Sequence, residues 1–95
     1  MRKAAASFTP EAARLIAALP PEIKKLVRSS IDELLTKPQA GSELTGEFEG
    51  YRSLKAKRYR IVYRLNEAQT RIEIFFVGHR RDVYETLRSI LLDMR

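Results

Sequence analysis

Six cations and no acid lie between Tyr51 and Arg64: Arg52, Lys55, Lys57, Arg58, Arg60 and Arg64. They alternate with aromatic and β-branched residues, as strands of a sheet do and a disordered basic tail does not. A positive surface on a rigid sheet, with tyrosines interleaved, suits a polyanion whose bases can stack. That points to nucleic acid, and to RNA first. Cutting RNA without a metal requires the 2′-hydroxyl to lose its proton, the phosphorane charge to be stabilised, and the leaving 5′-oxygen to gain a proton. Arginine suits the second task, because it stays charged and offers paired donors to phosphate oxygens. Lysine serves as a base only once neighbouring cations favour its neutral form, and Arg52, Arg58 and Arg60 crowd Lys55 and Lys57. His79 is the single histidine and a candidate acid or base. A lone histidine at a strand end is more often a surface residue than a catalyst, so His79 needs further support.

Composition narrows the classes. Ninety-five residues are read as one domain, 1–95. A net charge of +6 favours anionic partners, including an acidic protein that masks the positive face. Cysteine is absent, which excludes a disulfide framework and a thiolate zinc site. No metal and no cofactor are expected. Met1-Arg-Lys-Ala-Ala-Ala6 lacks the apolar stretch of a secretory signal, and no run approaches membrane-spanning length. A cytoplasmic protein with no membrane association is the expectation.

Helices precede the strands that carry the cations. Ala4 to Phe8 is short and apolar, a candidate edge strand. Thr9-Pro10-Glu11 supplies a capping hydroxyl, a proline in the first turn and an early acid. The helix it opens bears Ala12, Leu15, Ile16 and Leu19 on one stripe and stops at Pro20-Pro21. A second helix carries Ile23, Leu26, Val27, Ile31, Leu34 and Leu35 at 3.6-residue spacing and ends at Lys37-Pro38. Two amphipathic helices across a tight Pro-Pro turn form a helical hairpin. Gln39 to Gly50 reads as a loop, pinned by Leu44 and Phe48, with Glu43, Glu47 and Glu49 serving it. Three strands follow at Tyr51–Lys57, Tyr59–Leu65 and Arg71–Val77, with Asn66 to Gln69 as the second turn. Ile72, Ile74, Phe75, Phe76 and Val77 are apolar on both faces, which predicts a central strand buried on both sides. Tyr59 and Tyr63 share a face with Ile61 and Leu65 and are read as core; Arg58 and Arg64 have an ordinary reading as solvated strand cations. Asp82-Val-Tyr-Glu85 matches a capping box, and Val83, Leu87, Ile90, Leu91 and Met94 form the stripe of a last, short helix. The class is α+β: a small, mainly antiparallel sheet with an N-terminal helical hairpin and a C-terminal helix.

Three stretches carry a resemblance over nearly the whole chain: Gly50-Tyr-Arg-Ser-Leu-Lys55, Tyr59-Arg-Ile-Val-Tyr-Arg64 and Val77-Gly-His-Arg-Arg-Asp-Val-Tyr-Glu85. At this spacing and in this order they resemble the RelE/ParE toxin superfamily, the toxin halves of bacterial and archaeal toxin–antitoxin pairs. RelE-like members cut messenger RNA in the ribosomal A site, and ParE-like members poison DNA gyrase. By the resemblance, Arg60 matches the arginine after the tyrosine in the middle strand of the nucleases. Arg80 matches the arginine closing their last strand, and Tyr84 the tyrosine opening their last helix. Tyr84 lies about 100° around the helix from Val83, off the core stripe, where it can stack on a base or donate its hydroxyl. The family's basic pair falls on Arg52 and Leu54 in direct alignment, or on Lys55 and Lys57 after a one-residue shift. Both placements stay open, as does a catalytic role for Glu43, since some relatives hold a glutamate in this loop.

The candidate catalytic set is therefore Arg60, Arg80, Tyr84, Lys55, Lys57 and His79. The candidate RNA contacts are Arg52, Lys55, Lys57, Arg58 and Arg81. The resemblance implies a ribosome-dependent endoribonuclease toxin, with ribosome, mRNA and a cognate acidic antitoxin as partners. A ParE-like gyrase inhibitor without catalysis, or a relative that binds RNA or antitoxin and no longer cuts, are the alternatives.

Overall fold

Residues 72–77 offer water no polar face except at Glu73, and the chain buries Ile72, Ile74, Phe75, Phe76 and Val77 at the centre of the sheet. The computed structural model describes residues 4–66, 68 and 70–93. Within it, β5 (Arg71–His79) lies between β1 (Ala5–Phe8) and β4 (Tyr59–Asn66). Beyond β4 come β3 (Arg52–Ala56) and the two-residue β2 (Ser42–Glu43), giving the order β1-β5-β4-β3-β2. Only β1 runs parallel to its neighbour; the other pairings are antiparallel. The α+β class with a mainly antiparallel sheet is thus observed.

Each face of the sheet is closed by different helices. On one side α1 (Pro10–Ala17) and α2 (Pro21–Thr36) press Ala12, Ile16, Val27, Ile31 and Leu34 onto Ile61, Tyr63, Ile72, Ile74 and Val77. On the other, α3 (Val83–Asp93) brings Val83 and Leu87 onto Val62, Phe76 and Phe48. Thr9 starts α1 as read: its hydroxyl accepts the Ala12 N–H at 3.1 Å, and its own N–H donates to the Ile74 carbonyl at 3.0 Å. One residue therefore caps the helix and ends the β1 pairing.

Several boundaries differ from the sequence reading. The first helix ends at Ala17 rather than at Pro20, and Leu19 reaches the core from the turn; a residue preceding proline disfavours helical backbone. Strand β3 stops at Ala56 because Lys57 has φ 55°, a left-handed conformation that a strand cannot contain. β5 runs on to His79, two residues past Val77. The loop hides β2 and a 3₁₀ turn at Gly46–Phe48. Leu44 and Phe48 do pin it, both on the α3 side. Met94, Glu67 and Gln69, assigned to the last helix and the second turn, lie outside the described residues.

Tyr63 is core, as read, and more. Fully buried, it donates its hydroxyl to the Pro38 carbonyl at 2.7 Å and accepts the Gly41 N–H at 3.0 Å. A Cβ on Gly41 would stand 2.7 Å from that oxygen, so only glycine permits the approach. Tyr63→Phe strands a buried N–H and a carbonyl and should cost about 1–3 kcal/mol in urea unfolding. Burial pushes the phenol above its ordinary value, against the opposing pull of the Gly41 N–H and Arg52. The neutral form is then favoured in the fold, and the unfolded chain loses this proton first. Its contribution is intact below about pH 10 and lost as pH rises through the higher folded value, so wild type and Tyr63→Phe should converge in strong alkali. A gap that stayed constant there would exclude this linkage.

Candidate functional site

Strand pairing decides which cations meet. Lys55 stands opposite Arg60, and Arg60 opposite Gly78, in one row across β3, β4 and β5. The next row on the same face, Ser53–Val62–Phe76, runs under α3 through Val62 and Phe76. Lys55 and Arg60 therefore share the face that α3 covers in part. Arg52 and Leu54 pair with Tyr63 and Ile61 and point to the hairpin side. Of the two placements of the basic pair, only the shifted one puts a lysine beside Arg60.

The remaining cations gather at the same end of the sheet. Lys57 and Arg58 form the turn between β3 and β4, and the Arg80 N–H donates to the Arg58 carbonyl at 2.7 Å. That bond ties the end of β5 to the turn. Half-buried Arg60 folds back on it, with Nη1 donating to the carbonyls of Lys57 at 3.0 Å and Tyr59 at 2.9 Å. Three ion pairs occur among the described residues: Arg14–Glu11, Arg52–Glu43 and Arg88–Glu47. None uses Lys55, Lys57, Arg58, Arg60, Arg80 or Arg81, so the cations at this end make no ion pair within the described residues.

Arg52 is placed elsewhere. It donates to the Gly41 carbonyl at 2.8 Å and to Glu43 at 3.0 Å, and only 19% of its side chain is exposed. Arg52 and Glu43 hold the loop and each other. His79 pairs with Tyr59 of β4, the two ring centroids 5.7 Å apart and the rings edge to face. Its Nδ1 accepts the Arg81 N–H at 3.2 Å, which leaves the proton of the neutral ring on Nε2. His79 thus lies round the strand end from Arg60, on the hairpin side, with Nε2 as its available donor.

Tyr84, in the first turn of α3, is 47% exposed. Its ring leans on Phe48, centroids 5.7 Å apart. One turn on, Arg88 lies over the same Phe48 ring at 5.9 Å and pairs with Glu47 through Nε at 2.9 Å and through Nη2. The Arg88 guanidinium holds the Glu47 carboxyl below its usual range, and Glu47 raises Arg88 in turn. The 3₁₀ turn is therefore a backrest for Tyr84. Sequence reasoning missed it: the four-residue step from Tyr84 to Arg88 was visible, but nothing local tied either to Glu47 or Phe48. Among the described residues, no group of three His, Cys, Asp or Glu is arranged to hold a metal ion, and no helix is long and apolar enough to cross a membrane.

A row of lysine and arginine, with a second arginine tied by its backbone to the same turn, can bind a phosphate, and the exposed ring of Tyr84, on the helix that covers part of that face, can stack a base. Known proteins share this frame. The family model described as the ParE toxin of the type II toxin–antitoxin system parDE matches residues 4–84. Toxin RelG of Mycobacterium tuberculosis is 34% identical over 79 residues, covering 81% of this chain and 91% of that protein. The toxin–antitoxin complex RelBE2 of M. tuberculosis contains a chain that superposes with a TM-score of 0.75 at 31% identity, covering 82% of this chain and 99% of that one. The free E. coli toxin RelE, as a variant, gives 0.77 over 99% of this chain and 98% of that one; at 16% identity this likeness is one of fold alone.

Proposed function

We propose that this chain, which belongs to the RelE/ParE toxin superfamily and is the toxin of a type II toxin–antitoxin pair, is an endoribonuclease that cleaves messenger RNA on the ribosome. The observation that carries the reading is the Lys55–Arg60 row, free of ion pairs among the described residues, with Arg80 tied to its turn and Tyr84 exposed at the start of the helix that covers part of the same face. A lysine, Lys55 of the row first and Lys57 of the turn second, takes the 2′-hydroxyl proton. The 2′-oxygen attacks the adjacent phosphorus and the bond to the 5′-oxygen breaks, leaving a 2′,3′-cyclic phosphate. Arg60 and Arg80 stabilise the phosphorane, Tyr84 stacks on a base, and the departing 5′-oxygen takes a proton from an acid, a role His79 can fill only as the imidazolium and by reaching round the end of β5 from the hairpin side. Lys57, Arg58 and Arg81 hold the flanking phosphates. The cognate antitoxin is read as acidic, since a chain of net charge +6 is best masked by its opposite.

The test is to induce the protein without its partner and compare translation with DNA integrity. Growth arrest with messages cut within codons on ribosomes, relieved by supplying the antitoxin, is expected. A gyrase-linked DNA break as the first lesion, with messages intact, replaces this reading by the ParE-type one, which the description of the matching family favours. RNA affinity gives a second measure. Each phosphate contact on a single strand lowers log affinity by about 0.7 per unit log salt, so contacts from Lys57, Arg58, Arg60, Arg80 and Arg81 imply a slope of about −3.5. A slope near zero would remove the cationic face from the account.

A further inference from the structure

Gly78 completes the row Lys55–Arg60–Gly78, yet it brings no side chain to it. The space is not empty. A Cβ built there would fall 2.3 Å from Cζ and 2.7 Å from Cε2 of Phe76, far inside van der Waals contact. Phe76, two residues back on the same face of β5, lays the tip of its ring where a side chain at 78 would stand, immediately beside Arg60. The ring has little room to withdraw. It is 2% exposed and shares its cluster with Val62, Val83 and Leu87, none more than 1% exposed, and with Phe48 at 8%. Interiors packed this densely pass a displacement on rather than absorb it. The element that can yield is α3, whose first turn places Val83 in the cluster and Tyr84 at the surface.

We propose that Gly78 is a positioning residue: its missing side chain lets Phe76 lie beneath the cationic row, and this sets the height of α3 and so the separation of Tyr84 from Arg60. A side chain at 78 drives the ring towards Val83 and Leu87 and lifts the first turn of α3. The activity half of this inference rests on the ribonuclease reading; the structural half does not.

The test is a set of three full-length variants, Gly78→Ala, Phe76→Leu and the two combined, assayed for cleavage of ribosome-bound mRNA and for amide hydrogen exchange in residues 83–93. Gly78→Ala should lower kcat about 10–100-fold, as for a misplaced reacting group, leave the salt slope of RNA binding unchanged, and speed exchange in the first turn of α3. In the double variant the smaller leucine makes room for the alanine, so kcat and exchange should return to within about threefold of Phe76→Leu alone. A folded Gly78→Ala with wild-type kcat and exchange overturns the proposal, as does a double variant no better than Gly78→Ala. If Gly78→Ala does not fold, a double variant that folds and matches Phe76→Leu supports it, and one that stays unfolded overturns it. If the wild type cuts no RNA, the ribonuclease reading fails alone: exchange in α3 that quickens and is then rescued still upholds the role of Gly78, and exchange that never changes ends it.

Discussion

Arg80→Ala should slow cleavage of ribosome-bound mRNA about 10²–10³-fold, with little change in urea stability. A preorganised donor to a charge that appears only in the transition state contributes about 2.7–4 kcal/mol of barrier lowering. Arg80 reaches the site through its backbone tie to Arg58, and that bond survives the substitution. Arg60→Ala should lose a similar factor. Arg60 differs in one respect, because its guanidinium also binds the carbonyls of Lys57 and Tyr59. Its loss should therefore loosen the turn, and Arg60→Lys, which keeps a charge without the fork, should recover little activity. Arg64 is the control. It lies four residues along β4, roughly 13 Å away, over the ring of Tyr51, and Arg64→Ala should stay within a fewfold of wild type. Equal losses at all three arginines would mean that a diffuse positive field, and no site, explains the activity.

Tyr84→Ala is expected to weaken RNA binding by about 1–3 kcal/mol, roughly 5–150-fold, the range for removing one base-stacking aromatic. Tyr84 can stack because Phe48 supports one side of it while nearly half of it stays open to solvent. Tyr84→Phe keeps both the ring and its contact with Phe48 and should bind almost as wild type. If Tyr84→Phe falls as far as Tyr84→Ala in fluorescence-anisotropy titration, the hydroxyl carries the effect and stacking does not.

The elements behind these residues were legible where a local signal is strong. Thr9-Pro10 marks a helix start by chemistry that needs no tertiary partner, and Ile72 to Val77 can only be a strand covered on both faces. What could not be read depends on register. Period-2 alternation tells which residues of a strand share a face, but not which face, and one step of pairing would put Leu54 instead of Lys55 beside Arg60. The irregularity between Val62 and Tyr63 inserts Phe75 opposite no partner on β4, and no residue there announces a bulge. β2 is two residues long, too short for any alternation to show. The clasp of Glu47, Phe48, Tyr84 and Arg88 joins segments some 40 residues apart, so only the fold brings it together.

The parallel pairing of β1 with β5 bears on how the chain is made. Ala5 meets Arg71 and Phe8 meets Ile74, so the first strand waits for the last before it has a neighbour. β5 is also the strand against which β4 and α3 pack. During synthesis the hairpin helices and the β3–β4 ribbon emerge early, but the five-stranded sheet cannot close until residues 71–79 have been added, and Arg80 and Tyr84 come later still. Long-range pairings of this kind form slowly, because the intervening chain must be ordered before the contact repays it. A polypeptide abandoned before residue 71 lacks the central strand and the later candidate residues Arg80 and Tyr84. Such a fragment leaves β1 and β4 each without the neighbour that β5 provides, so the closed sheet is reached only after the chain has passed His79.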